Sequence, residues 1–318
     1  MKTRQNMIPL RDRFNFASAP DSWGVLDYRG PSWNQSYEKM LDEMVEAGYT
    51  GTELGPYGFF PTDAKVLKEQ LGKRNLSLLG SFVPVPLGDS ASTQAVVEQI
   101  RKVGGFLSAL GAPFLVLADA QSKERDLISG RVPADDSAGW TREQWKQVAK
   151  VVASAANVAA DYGLDLVFHP HVATYVETPA EVEKFFDVTS ASKIGLCLDT
   201  GHCVYGGGDA IAEAEKYRKI LRFIHIKDVD AKVLAEARRK KLTFDQAIEE
   251  KVFTIIGQGS IDFPAFFRVL AKNNYSGWMV VEQDVKFGAT RVLPAVSIAA
   301  SLKHLRGVLG QLATATVP

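Results

Sequence analysis

The chain has 318 residues, of which 46% are hydrophobic and 23% are charged, so it contains enough apolar material for a large core. Its 37 Lys and Arg residues balance its 37 Asp and Glu residues, and this lack of basic excess argues against nucleic-acid binding. No apolar run is long enough to span a membrane, and the two cysteines, Cys197 and Cys203, are too few for a disulfide framework. These features favour a cytoplasmic protein.

Eight short apolar runs alternate with helix-forming segments along the chain. The runs cover residues 14–20, 51–55, 77–85, 113–120, 165–171, 193–199, 222–228 and 277–283. Continuous apolar runs are typical of strands that are buried on both faces. Right-handed crossovers between parallel strands leave few topologies, and the count and length favour an α/β fold of the (β/α)8 TIM-barrel type. An open doubly wound sheet is the alternative, but no GxGxxG motif follows the first run.

Apolar spacing and capping residues predict the helices between these strands. They cover residues 35–47, 63–74, 93–111, 141–162, 178–186, 209–219, 263–273 and 292–310. We expect residues 1–13 to be a loosely ordered leader and residues 14–318 to form one barrel domain, with a charged helical insert at 231–251. Residues 121–140 show no periodicity, and a loop of that length predicts a cover for the site or a contact with a neighbouring subunit.

Acidic and imidazole side chains stand at the carboxyl ends of several apolar runs. They are Glu53, His169, His171, Asp199, His225 and Glu282. Barrel enzymes place their chemistry at this end, and an isolated buried polar group costs several kcal/mol unless it is paired or binds a metal. We therefore predict one shared site. Its mixture of imidazoles and carboxylates suits Mn²⁺, Fe²⁺, Co²⁺ or Zn²⁺ rather than Ca²⁺.

Seven motifs extend the argument beyond periodicity. They are APDSWG (19–24), GYTGTELGP (48–56), FHPH (168–171), LDTGH (198–202), HIKD (225–228), GQGSIDF (257–263) and VEQD (281–284). Through them the chain resembles the xylose-isomerase-like TIM-barrel superfamily over residues 14–305, and within it the inosose dehydratase family. The motifs are specific for the superfamily and do not define the substrate.

The resemblance implies a metal site made by residues from strands five to eight. Carried over position by position, the ligands are His169, Asp199, His225 and Glu282. Mn²⁺ is the expected metal, with Co²⁺, Fe²⁺, Zn²⁺ and Mg²⁺ as alternatives. One position departs from the ketose epimerases, which carry Glu where this chain has the first histidine of His-Pro-His. We assign His169 to the metal and His171 to the role of base, and the reverse assignment stays open.

Other polar and aromatic residues receive provisional roles. Glu282 is a second candidate base, and His202 is a candidate acid for the leaving group. Glu53 and Lys227 are predicted to bind substrate oxygens, although each could instead neutralise a charged neighbour. Trp23 and Tyr57 could stack on a sugar ring, and packing in the core is the alternative.

The resemblance implies a metal-dependent lyase that eliminates water through an enediolate. Its substrate would be a keto-cyclitol or keto-sugar, such as 2-keto-myo-inositol or a 3-keto-glycoside. A metal-dependent ketose isomerase or epimerase is the main alternative. An endonuclease-IV-like repair enzyme is disfavoured by five histidines and zero net charge, and a non-catalytic subunit by the intact ligand set. We expect a small-molecule substrate, no nucleic-acid or membrane partner, and leave homo- or hetero-oligomers open.

Overall fold

The computed structural model describes residues 10–26, 35–286 and 292–314. Most of the leader predicted at residues 1–13 lies outside the described residues, and its end, Leu10–Asp12, is a short 3-10 turn before the first strand. No helix in these described ranges is both long enough and apolar enough to cross a membrane.

In the described residues, the strands of the main sheet fall on the eight apolar runs that the sequence analysis identified, and one further short pair of strands lies beside them. They are β1 (Phe14–Ser18), β2 (Gly51–Thr52), β3 (Ser77–Leu78), β4 (Phe82–Val85), β5 (Phe114–Asp119), β6 (Asp165–Phe168), β7 (Gly195–Asp199), β8 (Leu221–Ile226), β9 (Asp228–Val229), β10 (Phe253–Thr254) and β11 (Gly277–Val281). All of them join one parallel sheet except β9 and β10, which pair antiparallel beside it. The prediction of a parallel α/β fold is confirmed.

The sheet closes on itself through the third apolar run. Its strand order is β3-β2-β1-β11-β8-β7-β6-β5-β4. The strands at the two edges of this order, β3 and β4, are the two halves of that single run. Between the halves, the N–H of Leu79 donates to the carbonyl of Thr52 (2.9 Å), while its own carbonyl accepts from Phe114 (3.0 Å). The sheet is therefore a (β/α)8 barrel in which one strand is split.

The first and last strands also meet, so the barrel is complete on the opposite side. Phe14 pairs with Gly277 and Ser18 pairs with Val281 in a parallel register. The hydroxyl of Ser18 adds a hydrogen bond of 2.9 Å to the Val281 carbonyl. This seam places the carboxyl ends of β1 and β11 side by side at the mouth of the barrel.

Twelve helices connect and cover the strands in the described part of the chain. They are α1 (Tyr37–Ala47), α2 (Ala64–Gly72), α3 (Thr93–Leu110), α4 (Lys123–Asp126), α5 (Arg142–Asp161), α6 (Pro179–Thr189), α7 (Thr200–Tyr205), α8 (Ala210–Lys216), α9 (Ala231–Lys240), α10 (Phe244–Glu249), α11 (Phe263–Lys272) and α12 (Pro294–Thr314). Side chains cap several of these helices: Asp63 caps α2, Thr141 and Gln144 form a capping box on α5, and Asp262 caps α11.

Two local features differ from the sequence-based expectation. The turn expected after Asp199 is the short helix α7, because the Asp199 carboxylate accepts from the N–H groups of Gly201 and His202 and so caps it. The helical insert is two helices, α9 and α10, because Lys241 adopts a left-handed φ of 56° that ends α9. Thr243 then caps α10, which places Phe244 at its first position.

A small apolar layer fills the barrel interior below the mouth. It contains Ala17, Leu79, Val116, Val167, Cys197, Phe223 and Val280, and the rings of Phe114 and Phe223 stack within it at 4.4 Å. Side chains two residues apart share a face of a strand. The interior positions Val167, Cys197, Phe223 and Val280 are therefore followed, on the same face, by His169, Asp199, His225 and Glu282. The alternation of the strands brings these four polar groups together.

Candidate active site

A cavity of about 280 Å³ opens at the carboxyl ends of the strands. Its polar lining includes Asp21, Glu53, Asp119, Gln121, His169, His171, His225, Lys227, Glu282 and Asp284. Its apolar lining includes Val25, Leu26, Pro56, Phe82, Pro84 and Phe244. The cavity therefore offers both polar and apolar surface to a ligand.

His225 is held by two carboxylates. Its Nε2 lies 2.9 Å from Oε1 of Glu53, and its Nδ1 lies 3.2 Å from Oε2 of Glu282. Nδ1 is buried and makes no hydrogen bond to any described residue. Glu53 therefore accepts a hydrogen bond from Nε2–H and holds the ring with Nδ1 towards Glu282, as carboxylates behind metal-binding histidines do. Burial would lower the pKa of His225, but Cys197, Glu282 and Glu53 raise it well above its usual value.

His169 and Asp199 form the other half of the same cluster. Nε2 of His169 lies 3.4 Å from Oδ2 of Asp199, and the rings of His169 and His225 are 4.9 Å apart. Oδ1 of Asp199 is occupied by the N–H groups of Gly201 and His202, both at 2.8 Å. The capping role therefore fixes the carboxylate and leaves Oδ2 to face His169 and Lys227. Among the described residues, the ligand atoms of His169, Asp199 and His202 lie close enough together to hold a cation, and so do those of Glu53, His225 and Glu282.

Lys227 lies in the middle of four carboxylates. Its Nζ donates to Oδ2 of Asp199 (2.8 Å) and Oε2 of Glu282 (2.5 Å). It also lies 3.3 Å from Oδ1 of Asp284 and 3.9 Å from Oδ2 of Asp21. Burial opposes the charge of Lys227, yet these carboxylates raise its pKa well above the usual value. Lys227 is thus a fully buried ammonium ion.

The end of β8 is fastened to the turn after β7. The hydroxyl of Thr200 donates to the Lys227 carbonyl (2.7 Å) and accepts from the Lys227 N–H (3.0 Å). A Cβ on Gly201 would lie only 2.5 Å from Cβ of Lys227 and 2.9 Å from the Phe253 ring. Glycine in the LDTGH motif is therefore required by the close approach of Lys227.

His171 and His202 stack beside the cluster but have different surroundings. Nδ1 of His171 lies 2.8 Å from the carbonyl of Val172, which can only accept, so Nδ1 carries the proton and Nε2 is the basic atom. Burial and the neighbouring His169 lower the pKa of His171 to about 3. His171 is therefore a neutral imidazole on the cavity wall.

His202 lies behind His171, with the two rings 3.8 Å apart. Its Nδ1 accepts a hydrogen bond of 3.3 Å from the N–H of Val172, so Nε2 carries the proton in the neutral ring. That Nε2 lies 3.6 Å from Oδ2 of Asp284. The contact with Val172 disfavours His202 as a metal ligand, and His202 is not among the described residues that line the cavity.

Two carboxylates with different pKa values lie on either side of Lys227. Burial would raise the pKa of Glu282, but His225 and Lys227 outweigh it and lower that pKa to about 2. Burial and the nearby Glu282 raise the pKa of Asp21 well above its usual value. Glu282 is therefore a carboxylate in this arrangement.

Trp23 and Tyr57, the two aromatic residues predicted to stack on a substrate ring, lie outside the cavity lining. The Trp23 indole donates to Glu43 at 2.6 Å and is buried, and the Tyr57 ring packs edge-on against Phe106 at 5.6 Å under Lys102. Neither ring is among the described residues that line the cavity. The cavity takes its aromatic surface instead from Phe82 and from Phe244 of the insert.

The sequence analysis left three acidic cavity residues without a role. Asp284 shares the face of Glu282 two residues on, Asp119 ends β5, and Asp21 lies in the APDSWG motif. Asp119 accepts from the N–H groups of Leu87 (3.2 Å) and Tyr175 (3.0 Å), and burial raises its pKa to about 7. The rule that strand ends carry chemistry would have found Asp119 and Asp284.

The loop at residues 121–140 packs tightly on the segment that follows β6. The N–H of Gly130 donates to Glu177 at 2.6 Å. Arg125 and Glu181 form an ion pair at 2.8 Å in which both side chains are buried. The loop is thereby fixed to the segment that carries His171 at its start, while its role as a cover or a subunit contact stays a prediction.

Comparison with known protein families finds one match that spans most of the chain. Residues 41–307 match the family model described as xylose isomerase-like TIM barrel. The chain is 31% identical to an inosose dehydratase of Clostridium botulinum (strain Alaska E43 / Type E3) over 276 residues, which cover 86% of this chain and 90% of that protein. It is 32% identical to an inosose dehydratase of Clostridium beijerinckii with the same coverage.

Solved structures give the same fold at lower identity. A D-allulose 3-epimerase from Methylomonas sp. superposes with a TM-score of 0.68 at 18% identity, covering 95% of this chain and 100% of that one. The IolI protein, solved with a bound zinc atom, superposes with a TM-score of 0.69 at 16% identity, covering 93% of this chain and 98% of that one. At such identities the likeness concerns the fold alone.

Proposed function

The chain belongs to the xylose isomerase-like TIM-barrel family, and on that premise we propose that it is a divalent-metal-dependent lyase that removes water from a keto-cyclitol or keto-sugar. The inosose dehydratases among its relatives make 2-keto-myo-inositol the first substrate to test, and a 3-keto-glycoside the second. The observation that carries the proposal is a neutral imidazole, His171, placed beside a cluster of two histidines and two carboxylates.

The donor set fits a divalent cation. His169, Asp199, His225 and Glu282 would hold it, and the buried Nδ1 of His225, which makes no hydrogen bond to the described residues, supports this. Imidazole and carboxylate together suit Mn²⁺, which we propose as the physiological metal. When bound, such a cation supplies positive charge that acidifies the hydrogen next to a ketone and stabilises the oxyanion.

His171 is the proposed base. Its Nδ1–H is held by the Val172 carbonyl, so the free lone pair is on Nε2, and a pKa of about 3 keeps the ring neutral at physiological pH. Such a low pKa makes His171 a weak base towards water. Proton removal by so weak a base would therefore depend on the positive charge of the metal, which would acidify the hydrogen next to the ketone.

In the proposed elimination, His171 alone moves the proton from carbon to the departing hydroxyl. His171 takes the hydrogen from the carbon next to the ketone, and the electron pair of that C–H bond forms the enolate. The C–O bond of the β-hydroxyl then breaks, a carbon–carbon double bond forms, and the proton on His171 leaves with the hydroxyl as water. His202 lies behind His171 and its Nε2–H faces Asp284, so we propose that it orients His171.

The remaining cavity residues support a small polyhydroxylated substrate. Lys227, Asp21, Asp119 and Gln121 present polar atoms that can bind hydroxyl groups, while Phe82 and Phe244 offer apolar surface to ring C–H groups. Glu53, which contacts His225 at 2.9 Å, is proposed to orient that ring, rather than to bind substrate as the sequence had suggested.

The test is an assay of the purified protein with 2-keto-myo-inositol and with a 3-keto-glycoside, after removal of metal and after reloading with Mn²⁺. We expect Mn²⁺-dependent loss of water and new absorbance from a conjugated ketone or diketone. A product of unchanged mass that carries solvent deuterium would replace the lyase with a ketose isomerase or epimerase. Full activity in the chelated protein would contradict the metal-dependent proposal.

A further inference from the structure

The position of Lys227 has a consequence for metal binding. Its ammonium donates to Oδ2 of Asp199 at 2.8 Å and to Oε2 of Glu282 at 2.5 Å. These are the same two oxygen atoms that face the histidines: Oδ2 of Asp199 lies 3.4 Å from His169, and Oε2 of Glu282 lies 3.2 Å from His225. A divalent cation between these four residues and the ammonium would use the same oxygens.

A divalent cation and an ammonium ion repel each other strongly in a buried place, so they cannot share this position. Lys227 is anchored at its backbone by Thr200, so a movement of the ammonium would involve the side chain alone. Lysine carries its charge as a compact group on a flexible four-carbon stem and is suited to such a movement.

A second pair of carboxylates lies on the cavity side of the ammonium. Asp284 is 3.3 Å and Asp21 is 3.9 Å from Nζ, and both line the cavity. The site thus contains four acidic side chains within 4 Å of one ammonium. Two of them suffice for a metal site, and the other two can receive the lysine.

We propose that Lys227 is an internal cation that occupies the Asp199–Glu282 position in the metal-free protein and moves to Asp21 and Asp284 when the divalent metal binds. The exchange protects the buried carboxylates in the absence of metal and lowers the affinity of the site for metal. The proposal rests on the metal dependence proposed above.

The exchange predicts a particular order of metal affinities. Lys227→Met removes the competing ammonium, so Mn²⁺ and Zn²⁺ should bind tenfold or more tightly than in the unchanged protein. Asp284→Asn removes part of the second position, so it should weaken metal binding about tenfold. In the Lys227→Met background, Asp284→Asn should have little effect, because no ammonium needs a second position.

The experiment is a measurement of Mn²⁺ and Zn²⁺ affinity by competition with a chelator, without substrate, for the unchanged protein, both single variants and the double variant. Lys216→Met is the matched control, since Lys216 pairs with Glu183 at the surface and should leave the affinity unchanged. Thermal unfolding of each metal-free protein shows that it is folded. Lys227→Gln gives a neutral replacement of similar length if the methionine variant does not fold.

Unchanged or weaker metal binding in both folded Lys227 variants would overturn the exchange, and so would equal effects of Asp284→Asn in the two backgrounds. The expected order of affinities in a protein that removes no water from keto-cyclitols would support the exchange and overturn the proposed lyase. Failure of all variants and of the unchanged protein to bind either metal would overturn both.

Discussion

His169 and His171 lie two residues apart at the same strand end, yet their nitrogens have different partners. His169 directs Nε2 at the carboxylate of Asp199, whereas His171 has its Nδ1 hydrogen fixed by a backbone carbonyl. The first arrangement suits a metal ligand and the second suits a base with one free lone pair. The two substitutions that remove these rings should therefore have different consequences.

We expect His171→Asn to retain metal, to change substrate affinity less than about tenfold, and to lower kcat by roughly 10²–10⁴, the usual cost of losing a general base. His169→Asn should lose metal instead. Metal content and exchange of the substrate hydrogen in deuterated solvent distinguish the two. Loss of metal from the His171 variant alone would reverse the roles, and normal exchange in both would remove these histidines from the mechanism.

Glu53 provides a second prediction at the same scale. Glu53→Gln should weaken metal binding by about 10–100-fold, because an amide no longer fixes the charge and tautomer of His225 as a carboxylate does. The fold should stay intact, which circular dichroism would check. Chelator competition would measure the metal affinity. An affinity equal to that of the unchanged protein would mean that Glu53 does not orient His225 for metal binding and would favour the original prediction that Glu53 binds substrate.

At this scale the sequence predicted which residues meet but not how they pair. Strand-end position and the two-residue alternation brought His169, Asp199, His225 and Glu282 together correctly in one place. The contact between Glu53 and His225 joins residues that are 172 positions apart, and it depends on side-chain rotation that no local pattern encodes. The positions of Trp23 and Tyr57 were missed for a related reason, since an aromatic residue near a strand end can face either the cavity or the helices.

Among the elements, the turn between β7 and α7 fixes the geometry of the site most directly. Asp199 ends the strand and caps the helix, Thr200 fastens to Lys227, and Gly201 lets Lys227 approach. Three successive residues of the LDTGH motif are therefore each explained by a contact. The sequence analysis identified the motif but not the helix, because a six-residue helix is too short to show periodicity.

Gly201→Ala tests the packing of this turn. The added methyl would lie 2.5 Å from Lys227 and 2.9 Å from Phe253, so we expect a loss of about 1–3 kcal/mol in the free energy of unfolding, together with weaker metal binding. Gly307→Ala in α12 is the control, because a methyl there meets no described atom within 4 Å and should stabilise the helix by about 0.5–1 kcal/mol. Urea unfolding would measure both, and equal stability of the two variants would contradict the packing argument.

Glu177 affects the stability of the whole molecule. It accepts hydrogen bonds from Gly130 and Ala173, yet burial raises its pKa to about 7. Because an unfolded glutamate has a pKa of about 4.3, the folded protein binds the extra proton, and stability falls as the pH rises from about 4 through 7.

We therefore expect the unchanged protein to lose on the order of 2 kcal/mol more unfolding free energy between pH 5 and 8 than Glu177→Gln, whose side chain does not titrate. Urea unfolding of both metal-free proteins at several pH values would measure this difference. Glu183→Gln, a change in an exposed ion pair, is the control and should keep the slope of the unchanged protein. Parallel stability curves for the Glu177 variant and the unchanged protein would contradict the prediction.

For the molecule as a whole, the sequence predicted eight strands, their alternation with helices and the barrel. The division of the third strand into β3 and β4 was not predicted, because its apolar run is continuous in the sequence. The division instead reflects the packing of this run against the neighbouring strand β5. A Cβ at Gly80 would lie 2.8 Å from the carbonyl oxygen of Phe114, so the backbone passes unusually close to β5 at that point. Such a close approach is a property of the packed barrel.

The seam between the first and last strands has a consequence for how the protein is made. The hydrogen bond from Ser18 to Val281 joins residues 263 positions apart. A ribosome adds about 5–20 residues per second, so β1 exists for roughly 10–50 s before its partner is synthesised. Throughout that interval the nascent chain exposes an unpaired sheet edge. Closure of the barrel is therefore set by the pace of translation, and nascent chains that stop short of β11 would be left as open sheets prone to aggregation.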